Sequence, residues 1–113
     1  MWIMKLVIAV IQDEDANKVS NVLRNENFGL TKLASTGGFL SSGNTTLLIG
    51  VEEERVQEAL DIIKENCKTR KKITTDSIPS AYTAASGYIP RTIEVLVGGA
   101  TVFVVDVDQF EKM

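Results

Sequence analysis

The residues of this chain that could bind a small molecule are concentrated between positions 28 and 46. Gly37 and Gly38 precede the aromatic Phe39, and Asn44 follows in a polar stretch. Adjacent glycines let backbone amides converge on an anion or let a ligand approach the main chain closely. An aromatic ring offers a stacking face, and an asparagine amide can pair with the edge of a base. Such residues would suit a phosphate-bearing purine. From the residue types alone, however, a glycine-rich hairpin connection with Phe39 in the core is the preferred interpretation, because glycine-rich loops are common.

The residues that usually perform catalysis are missing or have another explanation. The chain contains no histidine, the commonest general base. The Gly37-Gly38 loop is not followed by the Gly-Lys-Ser/Thr of a P-loop. The acidic residues gather where capping of helix N-termini explains them, at Asp13, Glu14, Asp15, Glu52, Glu53 and Glu54. We therefore predict a protein that is not an enzyme and that carries no cofactor.

Length and composition indicate one globular domain. The chain has 113 residues, of which 44% are hydrophobic, and no run approaches the ~20 apolar residues needed to span a bilayer. The apolar segment 1–11 lacks a basic leader and runs directly into Gln12 and Asp13, so we interpret it as a buried strand rather than a signal peptide. We expect a cytoplasmic protein without membrane insertion. The net charge of −3 argues against nucleic-acid binding.

One cysteine and one basic run remain to be explained. Cys67 is the only cysteine, so the chain forms no internal disulfide and no multi-cysteine metal site. Its position on the apolar stripe of a predicted helix indicates an inert core thiol. Lys68, Arg70, Lys71 and Lys72 follow it, and we interpret them as a solvated helix end, with a binding patch as the alternative.

Periodicity predicts two helices and five strands. The first helix has Asp13 as its N-cap and stops at Asn25, Asn27 and Gly29; the second is opened by residues 52–54 and runs to Cys67. The predicted strands are 5–12, 30–35, 45–51, 92–97 and 101–107, the last two forming a hairpin around residues 98–100. This order predicts an α+β domain with a ferredoxin-like β-α-β-β-α-β sandwich and an extra C-terminal strand. Strands that are apolar on both faces also predict a ring of subunits that buries the face without helices.

Residues 68–90 show neither helical nor strand periodicity and contain both prolines of the chain, Pro79 and Pro90. Structureless segments of this length in compact domains are usually functional or disordered. We predict a long flexible loop after the second helix, whose contact with a protein partner changes when the ligand binds.

Three blocks of the sequence carry a family resemblance. MKLVIAVIQDED, TKLASTGGFLSSGNTT and GGATVFVVDVDQF resemble, in order and spacing, the PII-like cyclic di-AMP receptor proteins of Gram-positive bacteria, and the likeness extends from Met4 to Phe110. It implies a single PII-like domain over residues 1–113 and a homotrimeric signal-transduction receptor. The ligand implied is cyclic di-AMP, bound between subunits; the protein target stays unknown.

The resemblance also implies which residues contact the ligand. Asn44 would read adenine, Phe39 would stack on a base, and Gly50 would leave room for one, while a neighbouring subunit would contribute the segment from Gly99 to Phe103. For Asn44 a structural turn role is an equal alternative, and for Phe39 core packing is one. The complete implied set is Asn27, Gly29, Leu30, Thr31, Gly38, Phe39, Leu40, Asn44, Gly50 and Phe103.

The chain departs from the family pattern at two basic positions. Family members commonly read Asn-Phe-Arg-Ala-Thr-Lys-Leu where this chain has Gly29 in place of the arginine, and a basic position after the glycine loop is Ser41 here. Each lost charge-assisted contact is worth ~1.5–3 kcal/mol of binding free energy. The second hypothesis is therefore a trimeric PII-like protein that has lost cyclic di-AMP binding and binds another nucleotide or acts as a protein scaffold.

Overall fold

The computed structural model describes residues 3–34, 43–75 and 92–113. The order of its elements is β1 (Met4–Gln12), α1 (Asp13–Asn25), β2 (Gly29–Ala34), β3 (Asn44–Glu52), a 3₁₀ turn (Glu53–Arg55), α2 (Val56–Asn66), β4 (Arg70–Thr75), β5 (Thr92–Val97) and β6 (Ala100–Asp106). Strands β1, β2, β3 and β6 form one antiparallel sheet in the order β2-β3-β1-β6. With α1 and α2 they make the predicted ferredoxin-like β-α-β-β-α-β fold, which is confirmed.

Strand β1 is a central strand of the sheet, because it is apolar from Leu6 to Ile11 and is paired on both sides, with β3 and β6. Alternate residues of a strand point to opposite faces. Val7, Ala9 and Ile11 point toward the helices and are fully buried. Both helices pack on that same face and complete the core, with Val19 and Leu23 from α1 and Ala59 and Ile63 from α2.

The start of α1 differs from the prediction in its capping residue. Gln12 occupies the N-cap position, and Asp13 is the first helical residue. The Asp13 carboxylate accepts a hydrogen bond from the Thr45 hydroxyl at 2.6 Å, and its backbone N–H donates to the Gly43 carbonyl at 2.8 Å. Asp13 therefore ties the helix to β3 instead of capping its own first turn.

The other side of the sheet, called here the helix-free face, has no helix among the described residues. It contains Leu6, Ile8 and Val10 of β1 together with Leu48, and apolar side chains from the two edge strands. Three of the edge side chains are strongly exposed, with exposed fractions of 46% for Leu33, 55% for Phe103 and 42% for Val105. Residues 3–34, 43–75 and 92–113 thus leave one apolar face of the sheet uncovered.

The predicted loop over residues 68–90 is wrong in its first part. Residues 70–75 form β4, which pairs antiparallel with β5 in a separate two-stranded sheet, here called the arm. Strand β4 carries exposed side chains on both of its faces, at Lys71, Lys72 and Ile73, so no alternation of buried and exposed residues marks it as a strand in the sequence. Residues 76–91 lie outside the described residues.

The predicted hairpin of 92–97 with 101–107 is also wrong. The two strands belong to different sheets, because β5 pairs with β4 and β6 pairs with β1. The strands beyond the ferredoxin-like set are thus β4 and β5, inserted before the last strand of the main sheet. None of the helices in the described part of the chain is long and apolar enough to cross a membrane.

Candidate functional site

Four of the predicted ligand residues lie at two opposite ends of the sheet, with Asn27, Gly29 and Gly50 at one end and Asn44 at the other. At one end Gly29, Gly50 and Leu6 lie side by side on neighbouring strands. At the other end Asn44 lies beside Gln12. Leu6 and Gln12 belong to the same strand and are separated by about 20 Å at ~3.3 Å per residue. We call these regions the glycine end and the amide end.

The glycine end is an open hollow. Gly29 and Gly50 face each other across β2 and β3, and a Cβ added to either would have no atom of the described residues within 4 Å, apart from its own chain neighbours. The two glycines therefore form a floor without side chains. The hollow above them has a volume of about 230 Å³ and is lined by Met4, Asn27, Phe28, Gly29, Gly50, Val51, Glu52, Arg55 and Phe110.

Arg55 provides a cation in this hollow that the sequence analysis missed. Its guanidinium lies 4.0 Å from the centroid of the Phe28 ring. Nη2 donates to the Glu26 carbonyl at 2.8 Å, and Nε donates to the Glu58 carboxylate at 3.0 Å. The hydrogen bond to Glu58 raises the pKa of Arg55. Three consecutive glutamates precede this arginine, so in the sequence it appears only as part of a helix start.

Asn27 has a structural role at this end, because it terminates α1. Its φ of 66° is left-handed, a conformation tolerated by asparagine better than by most residues. The N–H of Asn27 donates to the Arg24 carbonyl at 3.0 Å, and the N–H of Phe28 donates to the Leu23 carbonyl at 2.9 Å. These two bonds form a Schellman motif. The prediction that the helix stops in this segment is confirmed, and Gly29 is not needed for the turn.

The amide end consists of two adjoining hollows. The smaller, about 200 Å³, is lined by Val10, Gln12, Asn44, Gly98, Gly99, Ala100 and Thr101. The larger, about 450 Å³, shares Gln12 and Asn44 with it and adds Asp13, Glu14, Gly43 and Val97. The side-chain Oε1 of Gln12 accepts a hydrogen bond from the Gly98 N–H at 2.7 Å. Gln12 was not predicted as a site residue, because at the end of an apolar strand it carries no distinguishing signal.

Other predicted residues lie between the two ends or on the opposite face. Thr31 and Phe103 share the helix-free face in one row across the sheet, with Leu48 and Ile8 between them. They are three strand spacings apart, about 14 Å. The side chain of Leu30 lies on the helix-covered face, packed against the core. Gly38, Phe39 and Leu40 lie outside the described residues.

The basic run is not the solvated helix end that the sequence predicted. The Arg70 guanidinium is 2.9 Å from the nearly buried carboxylate of Asp15 and 3.1 Å from that of Glu14. The ammonium of Lys72 is also 3.1 Å from Glu14. The acidic start of α1 thus attracts the cations of β4, and hydrogen bonding to Asp15 raises the pKa of Arg70.

Cys67 is buried, as predicted for a core thiol, and its Sγ–H donates to the Ile63 carbonyl at 2.7 Å. Burial raises the pKa of the thiol, with a smaller contribution from the charge of Asp15. Within residues 3–34, 43–75 and 92–113, no group of three or more histidine, cysteine, aspartate or glutamate side chains is placed to hold a metal ion.

Comparison with known proteins identifies the family of this fold. The family model described as cyclic-di-AMP receptor matches residues 4–113. A crystal structure of a functionally unknown protein from Pediococcus pentosaceus ATCC 25745 is 49% identical in sequence, with a TM-score of 0.76 and coverage of 100% of both chains. The resemblance seen in the sequence is confirmed by the family model. The chain belongs to the cyclic-di-AMP receptor family.

Proposed function

We propose that this protein is a non-enzymatic cytoplasmic receptor that binds cyclic di-AMP between the subunits of a homotrimer. Membership of the cyclic-di-AMP receptor family supports the signalling role and the ligand class. The main structural support for a site between subunits is that Gly29 and Gly50 lie at the glycine end of the sheet, whereas Asn44 lies at the amide end. Binding is relayed through the arm to a protein target.

The separation favours a site shared by two chains. Within one chain, a ligand that touches both ends must extend along about 20 Å of sheet. If the amide end of one subunit lies against the glycine end of the next, the same residues converge in one cleft. Head-to-tail contacts of this kind generate a closed ring when the rotation between neighbouring subunits closes, as a three-fold rotation does for a trimer.

The uncovered helix-free face supports the ring. Its edge residues Leu33, Phe103 and Val105 are between 42% and 55% exposed, and the adjacent central strands contribute further apolar side chains. Removing apolar surface from water contributes about 25 cal/mol per Å², so covering this face stabilises an assembly. Three copies with their helix-free faces directed inward bury it completely.

The two ends suit different parts of a cyclic dinucleotide. The glycine floor leaves space for a flat base, and Arg55 supplies a fixed positive charge beside it. Asn44 offers the donor and acceptor pair that adenine requires. None of these groups activates a nucleophile or a water molecule, which is consistent with a receptor rather than an enzyme.

Titration calorimetry with cyclic di-AMP, combined with light scattering, tests the proposal. We expect a trimer mass and binding of cyclic di-AMP that exceeds the binding of AMP, ATP and cyclic di-GMP. A monomer mass would remove the intersubunit site. A trimer that releases no heat with cyclic di-AMP would instead favour the second candidate function.

That second candidate is a trimeric PII-like protein that has lost cyclic di-AMP binding and binds another nucleotide or serves as a scaffold. The open space above Gly29 favours it, because no side chain extends from this floor to meet an anion. A thermal-shift screen over a nucleotide panel distinguishes the candidates. A ligand at 100 times its dissociation constant stabilises the fold by about 2.7 kcal/mol, whereas a scaffold responds to none.

A further inference from the structure

The amide end is continuous with the base of the arm. Gly98 and Gly99 connect β5 to β6 with φ values of +89° and +82°. A Cβ at Gly98 would overlap the Lys68 carbonyl oxygen and lie 2.7 Å from Nη1 of Arg70. The segments that enter and leave the arm therefore pass in close contact at its base.

Several contacts fasten the base of the arm to the domain. Arg70 and Lys72 pair with the acidic start of α1. The N–H of Gly99 donates to the Cys67 carbonyl at 2.5 Å, and the N–H of Gly98 donates to Oε1 of Gln12 at 2.7 Å. The last contact is distinctive, because both of its partners line the same hollow as Asn44.

Gln12 thus contacts two regions at once. Its main chain is paired with Asn44 at the end of β1, so its position is set by the central sheet. Its side chain holds the first glycine of the arm connection. A group bound beside Asn44 in a hollow of about 200 Å³ meets Gln12, Gly98 and Gly99 together.

We propose that Gln12 is a positioning residue that couples occupation of the ligand site at Asn44 to the orientation of the arm. This inference rests on the proposed function and identifies the path of its relay. A ligand shifts a conformational equilibrium only if it interacts differently with the two states, and Gly98 and Gly99 are groups of the hollow that move with the arm. Gln12 holds them in the place where the ligand meets them. Because the coupling is reciprocal, the site at Asn44 binds the ligand less tightly when the arm is released from Gln12.

Hydrogen exchange of residues 92–99, measured with and without cyclic di-AMP, tests this coupling in the full-length protein. Gln12→Met keeps the length of the side chain but removes the acceptor for Gly98. Gln12→Glu keeps an acceptor oxygen. Gln57→Met makes the same chemical change at an exposed amide of α2, which donates to Asp61 of the same helix at 2.9 Å. Gln12→Asn, which withdraws the oxygen from Gly98, replaces Gln12→Met if that variant fails to fold.

In the wild type, cyclic di-AMP slows exchange in residues 92–99. In Gln12→Met without ligand, we expect hydrogen exchange in this segment to be about 2- to 12-fold faster, which is the range for the loss of one uncharged hydrogen bond. We expect the affinity for cyclic di-AMP to fall by a similar factor. In this variant cyclic di-AMP no longer slows hydrogen exchange in residues 92–99, while exchange in β1 and β3 is unchanged. Gln12→Glu and Gln57→Met retain wild-type exchange in the ligand-free arm.

Two results overturn the proposal, and they are distinguishable. Suppose that cyclic di-AMP binds both the wild type and Gln12→Met and slows hydrogen exchange in their arms equally. The coupling through Gln12 is then wrong, and the proposed function stands. If the wild type releases no heat with cyclic di-AMP, the proposed function fails and the coupling fails with it.

Discussion

At the glycine end of the helix-free face, glycine provides space, whereas at the amide end it provides backbone geometry. Gly29 and Gly50 have no left-handed φ, and within the described part of the chain a Cβ added to either would meet no atom within 4 Å beyond its chain neighbours. Gly98 and Gly99 both have positive φ and are in close contact with the connection that enters the arm. Glycine therefore leaves open space at the glycine end, whereas at the amide end it permits a tight connection at the base of the arm. We expect substitutions at the two ends to change the free energy of unfolding in opposite directions.

The largest difference is expected for alanine at each end. Gly98→Ala combines left-handed strain of ~1–2 kcal/mol with overlap against Lys68, for which ~1–3 kcal/mol is typical, so the free energy of unfolding falls by about 2–5 kcal/mol. Gly29→Ala raises it by about 0.5–1 kcal/mol, because glycine in a strand is destabilising relative to alanine. Urea denaturation of both variants measures the contrast. Equal losses at the two positions would show that the glycine end is as crowded as the amide end.

The second prediction introduces a positive charge into the open space at the glycine end. Gly29→Arg restores the arginine of the family pattern, and we expect it to strengthen binding of cyclic di-AMP about 10- to 100-fold, the effect of one charge-assisted contact of ~1.5–3 kcal/mol. The open space and ordinary φ at Gly29 predict an unchanged fold. Gly29→Leu is the matched control, long but uncharged, and gains nothing. Calorimetric titration with cyclic di-AMP measures the affinity of both variants. Equal affinities would mean that a charge at position 29 does not contact the ligand.

The amide end is expected to lose affinity when its hydrogen-bond pattern changes. Asn44→Asp replaces the donor with a second acceptor, so pairing with adenine loses ~1–3 kcal/mol, or about 5- to 150-fold in affinity. Asn27→Gly is the counterpart at the glycine end, because it keeps the left-handed turn and removes the amide. Titration of both variants with cyclic di-AMP shows which amide reads the base. A loss confined to Asn27→Gly would assign adenine recognition to the glycine end.

The smallest expected effect is a pH dependence of ligand binding at the glycine end. Glu52 lines that hollow, and its hydrogen bond to Glu54 raises its pKa above the ordinary value of 4.5. Lowering the pH from 7 toward 5 therefore neutralises Glu52 earlier than an ordinary glutamate and removes a negative charge beside an anionic ligand. We expect affinity to rise about 1.5- to 5-fold, as for an exposed charge interaction, and Glu52→Gln to abolish the rise. A pH response that persists in Glu52→Gln would place the titrating group elsewhere.

The sequence predicted best the elements that are determined locally. The apolar run of β1, the stripe of α1 and the stop around Asn27 each depend on neighbouring residues, and all three are present. The hairpin of 92–97 with 101–107 was mispredicted because two β-rich segments flank a glycine pair, whereas the actual partners are distant in sequence. Arg55 and Gln12 were missed for a similar reason, since only the folded chain brings them to Gly29 and to Gly98.

The central claim is that the glycine end of one chain and the amide end of another form one site, and mixed trimers test it most directly. Gly50→Trp fills the hollow at the glycine end, and Asn44→Asp impairs the amide end, so neither variant alone binds cyclic di-AMP with wild-type affinity. In an equimolar mixture, refolded together, intact ends meet at about one quarter of the subunit interfaces. Titration calorimetry of that mixture is predicted to recover about one quarter of the wild-type stoichiometry at wild-type affinity. A mixture with no recovered site would contradict the account and place the whole site within a single chain.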